Sequence, residues 1–205
     1  KLDFPRGYHI EVGGGWGSAP SYGFMGGIQR YPSGGGYGKD LKNDYRRYYG
    51  AQVYFAGRGE MIPNDKSYCE LDPSMKDKYG IPVLRFHWEW SDYEYNQVRH
   101  MQQTFRSLVE EMGGKVFSTM PQKDKGYGIA RGGEIIHELG TTRMGTDPAK
   151  SVVDSNSRAH DVKNLFIADG GPFVSQADKN PTWTIMALSM RTSDFIANER
   201  KGGTL

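Results

Sequence analysis

The chain has 205 residues, of which 37% are hydrophobic and 24% charged, a composition typical of a folded domain and not of a disordered one. Its 26 basic and 24 acidic residues are well mixed and leave a net charge of +2, which gives no basic stripe for nucleic acid or an anionic membrane surface. No apolar run reaches the roughly 20 residues of a membrane-spanning helix, and the single cysteine, Cys69, excludes an internal disulfide and a cysteine-based metal cluster.

The first part of the chain is rich in glycine and aromatic residues. Glycine clusters occur at 13–17, 26–27 and 34–38. None of them matches the G-x-G-x-x-G or P-loop spacing of a phosphate-binding loop, because the last required glycine is absent in each register. We therefore interpret the clusters as loops and tight turns between strands.

Three segments have the alternating pattern of half-buried strands: 8–12, 51–55 and 81–90, of which the last is the clearest. The spacing of Ser91 and Glu94 is that of a capping box and predicts the start of a helix. Apolar residues then recur at helical spacing from Val98 to Met112, and Gly113–Gly114 supplies the stop. We interpret this amphipathic helix as structural. A polar stretch at 122–133 follows it and predicts an exposed connection.

The last third of the chain has a different pattern. Residues 162–168 predict a short strand, and a glycine-bearing turn follows at 169–171. Asn180 and Pro181 then open a helix, since Asn is a preferred N-cap and Pro is favoured at the first helical position. A strand, a glycine turn and a helix in this order are typical of the closing unit of an α/β nucleotide-binding sheet.

Among the five histidines, His137 is distinguished by its context. It precedes a compact run of two glycines and two threonines, and an imidazole in such a polar loop can act as a base near neutral pH. A structural role is the alternative for His137. The other four histidines lie in strand, helix or turn patterns: His9, His87, His100 and His160. No metal site is predicted, because the histidines and carboxylates lack the i, i+4 pairing of a zinc helix. No G-x-S-x-G elbow of a serine hydrolase occurs either.

The segment from His137 to Gly145, His-Glu-Leu-Gly-Thr-Thr-Arg-Met-Gly, resembles the signature of the glucose–methanol–choline oxidoreductase family. Further blocks follow in the order and at the distances of that family: Val152–Asp154, Arg158–Val162, Asn164–Gly170 and Asn180–Ala187. A weaker similarity extends upstream through Gly59–Pro63, Leu71–Pro73 and Lys78–Val83. The chain is most similar to the bacterial sugar and polyol branch and to pyranose oxidases, in which the final block carries Asn.

The resemblance implies an enzyme that oxidises an alcohol by hydride transfer to FAD. The residue that matches His137 takes the hydroxyl proton as general base, and the residue that matches Asn180 orients the same oxygen. Asp169 and Gly170 match the turn that approaches the flavin, and Pro181 and Thr182 match the helix start beside it. The alternative role of Asn180 is a plain N-cap.

The family's G-x-G-x-x-G fingerprint is absent from these 205 residues. The resemblance therefore implies that an N-terminal half, or a second chain, supplies the remainder of the FAD site. The chain begins at Lys1 without Met or a signal peptide, which is typical of a processed or truncated chain. A periplasmic location is expected by resemblance to the bacterial relatives.

We predict an α+β fold. Residues 1–136 are expected to form part of a substrate-binding domain, an antiparallel sheet with a covering helix, and residues 137–205 the active-site loop and the C-terminal part of an FAD-binding domain. The resemblance implies a sugar or polyol-like substrate. The aromatic-rich first half suits the faces of sugar rings, although aromatic residues also fill protein cores. The alternative is a non-catalytic partner or assembly subunit of a flavoprotein complex. An electron-acceptor partner is expected, with oxygen, a quinone, a cytochrome and a dye left open.

Overall fold

The computed structural model describes residues 2–14 and 37–204. Most of the predicted glycine loops therefore lie outside the described residues. Gly13 and Gly14 lie within the described residues, and they belong to a strand and not to a loop. Gly14 has a φ of +138°, and a Cβ there would be 2.2 Å from the carbonyl oxygen of Gln52, so this position requires glycine.

The chain forms two compact units, and each of them is discontinuous in sequence. Unit 1 contains Lys1–Gly59 and Tyr95–Ile129, and unit 2 contains Glu60–Glu94 and Ala130–Leu205. The predicted division at residue 136 concerns binding roles and stays a prediction. Within the described residues, no helix combines the length and the apolar character needed to cross a membrane.

The sheet of unit 1 pairs two antiparallel strands, β1 (Tyr8–Gly14) and β2 (Val53–Gly59). This confirms both strands predicted in the first part of the chain. A helix, α1 (Lys39–Tyr48), precedes β2 and has no buried residue. The predicted polar connection contains a short 3-10 helix, Lys123–Gly128.

Helix α2 (Asp92–Glu111) begins and ends as the sequence predicted. The backbone amide of Ser91 donates to Glu94 Oε2 at 2.8 Å, which completes the capping box. At the other end Gly113 has a φ of +71°, and its amide donates to the carbonyl oxygen of Glu110 at 2.9 Å. The amide of Gly114 donates to the carbonyl oxygen of Val109 at 2.8 Å, so the helix ends in a Schellman motif.

Helix α2 covers the β1–β2 sheet, as predicted for this part of the chain. Its Met101 is only 4% exposed and lies against Gly57, and Phe105 stacks on Phe55 with ring centroids 5.7 Å apart. His100 is half-buried and accepts or donates a 2.7 Å hydrogen bond with the Tyr8 hydroxyl. The two residues are 92 positions apart along the chain, so the sequence spacing carries no signal of this contact.

Unit 2 contains a second antiparallel pair, β3 (Tyr68–Lys76) and β4 (Pro82–His87). The clearest predicted strand is thus confirmed, although it ends at His87. The prediction of one sheet is corrected to two separate two-stranded sheets within the described residues. Inside β3, Asp72 Oδ1 accepts hydrogen bonds from the amides of Met75 and Ser74 at 2.7 and 2.8 Å. These amides, together with the Ser74 hydroxyl, lower the pKa of Asp72.

The C-terminal third differs from its prediction in one element. Residues 162–168 do not form a regular strand, and their ladder contact is one isolated antiparallel bridge between Arg158 and Phe166. A strand needs a neighbour along its whole length, and the described residues offer this segment only a short one. The predicted helix is present as α3 (Thr182–Gly202), which ends at Gly203 in the left-handed conformation.

Candidate active site

The segment that follows His137 runs alongside the glycine turn at 169–173. Three backbone hydrogen bonds of 2.9 to 3.2 Å join the amides of Gly140, Thr142 and Met144 to the carbonyl oxygens of Gly170, Gly171 and Pro172, respectively. Two blocks of the sequence signature are therefore hydrogen-bonded to each other. We call residues 137–145 the His137 segment.

The C-terminal end of the His137 segment pairs with a small ladder of isolated β-bridges. Met144 forms a parallel bridge with Val153, and Val153 forms an antiparallel bridge with Ala159. Val153 is completely buried and Ala159 is 6% exposed, so a compact core lies directly beneath the segment. The remaining blocks of the signature are thus part of the same local structure.

Helix α3 packs on this structure through one of its faces. Ile185 lies beside Gly170, which is also covered by Leu139 of the His137 segment. The hydroxyl of Ser189 donates to the carbonyl oxygen of Ala168 at 2.9 Å, and that of Thr192 donates to the carbonyl oxygen of Asn156 at 3.1 Å. The start of α3 and the His137 segment therefore meet at the same glycine turn.

His137 differs from the other four histidines in having no polar partner among the residues that the structure describes. Its side chain is half-buried and makes no hydrogen bond or ion pair with any residue that the structure describes. The others are bonded to a neighbouring side chain: His9 to Glu11, His87 to Glu70, His100 to Tyr8 and His160 to Ser151. Both ring nitrogens of His137 are thus available to a bound molecule.

Asn180 lies just before α3, within one residue of the predicted helix boundary. Pro181 has φ and ψ of −85° and −13°, and no side chain caps the helix. Asn180 is exposed, and its amide makes no hydrogen bond to the described residues. The capping hydrogen bond that the sequence suggested for Asn180 is therefore not formed here.

The four predicted cofactor residues lie around the same turn and helix start. Asp169 Oδ1 accepts a hydrogen bond from the amide of Gly171 at 2.7 Å, which fixes the turn. Gly170 and Pro181 are buried, whereas Thr182 is exposed at the first turn of α3. No hydrogen bond within the described chain joins the side chains of His137 and Asn180.

Sequence reasoning missed two features of this site. Thr142 Oγ1 is buried without a hydrogen-bond partner in the described structure, and it lies directly against Gly171. His160 Nε2 lies 2.9 Å from Ser151 Oγ, at the far end of the His137 segment. Both depend on pairing between distant segments, for which the sequence spacing carries no signal.

Comparison with known proteins identifies the class. The family model described as GMC oxidoreductase matches residues 63–189, more than half of the chain. The chain belongs to the GMC oxidoreductase family, which confirms the resemblance seen in its motifs.

Particular relatives are about 30% identical to this chain over the aligned residues. The large subunit of fructose dehydrogenase from Gluconobacter japonicus is 31% identical over 166 residues, which cover 81% of this chain and 29% of that protein. The 2-methyl-1,2-propanediol dehydrogenase of Mycolicibacterium austroafricanum is 29% identical over 194 residues, 95% of this chain and 33% of that protein. Pyranose 2-oxidase from Lyophyllum shimeji is 29% identical over 146 residues, 71% of this chain and 23% of that protein. The chain thus spans about a third or less of the length of these relatives.

Proposed function

We propose that the full-length protein is an FAD-dependent oxidoreductase that oxidises a hydroxyl group of a sugar or polyol to a carbonyl. The observation that carries this proposal is the convergence of the signature blocks on the Gly170 turn, next to the one histidine that has no polar partner in the described residues. The names of the relatives refer to fructose, a propanediol and a pyranose, and they support the substrate class. No observation favours the alternative of a non-catalytic partner chain.

His137 is assigned the role of general base. An unpartnered ring nitrogen can accept the proton of the substrate hydroxyl while the hydrogen on the adjacent carbon leaves as hydride. Loss of hydride becomes easier as negative charge develops on the oxygen, and a positioned base contributes typically 10²–10⁴-fold to such a step.

Asn180 is assigned the role of orienting the substrate oxygen. Its exposed Nδ2 has no partner in the described chain, so it can donate a hydrogen bond to that oxygen. An amide does so without competing for the proton that His137 removes. The absence of a capping hydrogen bond leaves both ends of the Asn180 amide free for this role.

Two observations indicate that the residues present fit FAD. Thr142 Oγ1 is a buried hydroxyl without a partner in the described residues, beside the turn formed by Asp169 and Gly170. Helix α3 begins at Thr182, directly after Pro181, and no side chain in the described structure caps the amides of its first turn. Such a helix start favours negative charge. Bound FAD would supply the acceptor of the hydride. Asp169, Gly170, Pro181 and Thr182 are the residues of this chain proposed to hold it.

The remainder of the FAD site is proposed to come from an N-terminal half of the protein or from a second chain. The 205 residues contain no G-x-G-x-x-G sequence, and they span at most a third of the first relatives. Pyrophosphate binding relies on such glycines, which let backbone amides approach the charge. We further propose that residues 1–136 take part in substrate binding. A small molecule or a partner protein is proposed to accept the electrons.

The test is direct. We expect the purified full-length protein to be yellow, and its absorbance near the flavin bands to bleach when a sugar or polyol is added without oxygen. A panel of hexoses, pentoses and diols identifies the substrate. A protein that stays colourless after addition of FAD, or a yellow one that no alcohol bleaches, contradicts the proposed function.

A further inference from the structure

A second histidine is built into the structure that supports the His137 segment. The backbone of His160 is held on both sides: its amide donates to the carbonyl oxygen of Val152 at 3.1 Å, and its carbonyl oxygen accepts from Lys163 Nζ at 2.7 Å. From this fixed position its Nε2 reaches Ser151 Oγ at 2.9 Å, in a partly buried contact. The imidazole thus bridges the end of one extended segment and the turn that follows the His137 segment.

The partners of Ser151 decide which atom donates in this contact. Ser151 Oγ lies 2.7 Å from the backbone carbonyl oxygen of Asp147, which can only accept. The single hydroxyl proton of Ser151 is therefore used in the bond to Asp147, and His160 Nε2 donates to Ser151 Oγ. Both the neutral Nε2–H tautomer and the imidazolium form of His160 make this bond.

Ser151 transmits this contact to the His137 segment by direct packing. It lies against Gly145, the last residue of the segment, where a Cβ would be only 2.8 Å from Ser151 Cβ. The amide of Gly145 donates to the carbonyl oxygen of Val153 at 2.9 Å, and the amide of Val152 donates to the carbonyl oxygen of Arg143 at 3.0 Å. Because Ser151 immediately precedes Val152 and Val153, it cannot move without straining these two bonds.

We propose that His160 is a positioning residue of the active site, which fixes the end of the His137 segment through its hydrogen bond to Ser151. As a positioning residue it acts through Ser151 and not by contact with the reacting atoms. Its catalytic consequence rests on the proposed function of His137, because a small misplacement of a reacting group lowers the rate strongly. The structural consequence, which is slower amide hydrogen exchange in residues 143–153, is independent of that function.

The experiment uses the full-length protein and four variants. His160→Ala and Ser151→Ala remove the two ends of the bond, and His160→Gln keeps an Nε2 donor at a similar distance. His87→Gln is the matched control, because it replaces a histidine bonded to Glu70 on the β3–β4 pair. Amide hydrogen exchange over 143–153, anaerobic bleaching by substrate and the pH dependence of bleaching are measured for each protein.

We expect the amides of 143–153 to exchange about ten-fold faster in His160→Ala and Ser151→Ala, and bleaching to be about ten-fold slower at saturating substrate, with KM little changed. His160→Gln should resemble the wild type, and His87→Gln should leave the exchange of 143–153 at the wild-type rate. The pH at half-maximal rate should be the same in all folded variants, because His160 donates the same bond in both of its protonation states.

Three results would overturn the proposal: unchanged exchange in both His160→Ala and Ser151→Ala, a His160→Gln protein as impaired as His160→Ala, or a shifted pH midpoint in His160→Gln. If His160→Ala does not fold, Ser151→Ala, the smaller change, decides the same question. A wild-type protein that no alcohol bleaches overturns the proposed function instead, and hydrogen exchange then still decides whether His160 holds the segment.

Discussion

The side chain of Thr142 lies directly on Gly171 and fills the space that a Cβ on this glycine would need. The two residues are also joined by a 3.1 Å hydrogen bond from the Thr142 amide to the Gly171 carbonyl oxygen. On the other side, Asp169 Oδ1 would be 2.9 Å from the same Cβ. Because a β-branched side chain has few χ1 options, Thr142 cannot easily turn away.

This contact predicts that Gly171→Ala destabilises the full-length protein, by about 1–3 kcal/mol, the usual cost of overpacking a well-packed site. Thermal unfolding measures the change. The double variant Gly171→Ala/Thr142→Ala should recover most of the lost stability, because it removes the hydroxyl that collides. A Gly171→Ala protein that melts at the wild-type temperature would show that the contact is not restrictive.

His137→Ala is expected to slow reduction of the bound cofactor by substrate by about 10²-fold or more, because the base that accepts the hydroxyl proton is lost. Anaerobic stopped-flow absorbance measures the rate, and the cofactor content of the variant should equal that of the wild type. Ser193→Ala, which removes an exposed hydroxyl bonded to the carbonyl oxygen of Ser189 on α3, serves as the control. Wild-type reduction kinetics in His137→Ala would contradict the assignment of His137 as the base.

Asn180→Asp tests the orienting role of Asn180. Asn180 makes no capping hydrogen bond in the described structure, and Asp is as good an N-cap as Asn, so the variant should fold and melt normally. A carboxylate beside the substrate oxygen opposes the negative charge that develops there, so turnover should fall. Asn180→Ala, which removes the amide without adding charge, should be less impaired than Asn180→Asp. Normal turnover in a folded Asn180→Asp protein contradicts the orienting role.

The hydrogen bonds of Asp72 predict that the stability of the β3–β4 pair depends on pH. Hydrogen bonds from the amides of Met75 and Ser74 lower its pKa in the folded protein. The stabilisation is therefore complete above the pKa of the unfolded chain, about 3.9, and it is lost as the pH falls through the lower pKa of the folded state. In Asp72→Asn the exchange of the Met75 and Ser74 amides should be faster than in the wild type near neutral pH, and the difference should shrink in acid. A difference that is independent of pH would contradict this role.

Helix α3 predicts how residues 1–205 behave by themselves. While its inner face packs on the ladder, its outer face exposes 88% of Trp183, 60% of Met186 and 68% of Met190. A helix that is apolar on opposite faces is usually buried on both, so we expect the isolated 205 residues to aggregate and to bind no FAD. Met186→Gln/Met190→Gln should improve their solubility. A soluble monomer that holds one FAD would contradict the proposal that the remainder of the site lies elsewhere.

The elements that were predicted correctly are those specified by neighbouring residues. The capping box at Ser91 and Glu94 and the glycine stop at Gly113 need only a few consecutive positions, and both are present in the structure. Pairing between distant segments has no such local code. The segment 162–168 was predicted as a strand because it is apolar and short, but its pairing depends on neighbours that the pattern cannot reveal.

The candidate site shows the same division. His137, Asn180 and the glycine turn were found because their types and spacing resemble a family signature. The bond between His160 and Ser151 and the contact of Thr142 with Gly171 were not, because each joins residues that only the folded backbone brings together. The missing cap at Asn180 is likewise a property of side-chain placement and not of residue type.

The discontinuous make-up of unit 1 has a consequence for synthesis on the ribosome. Strands β1 and β2 emerge before α2, and the part of α2 that covers them belongs to Tyr95–Ile129 and follows only after the whole of Glu60–Glu94 has been made. At usual elongation rates this interval is on the order of seconds. During this interval the apolar face of the β1–β2 pair around Phe55 is open to other nascent chains, and a chaperone that shields it should raise the yield of native protein.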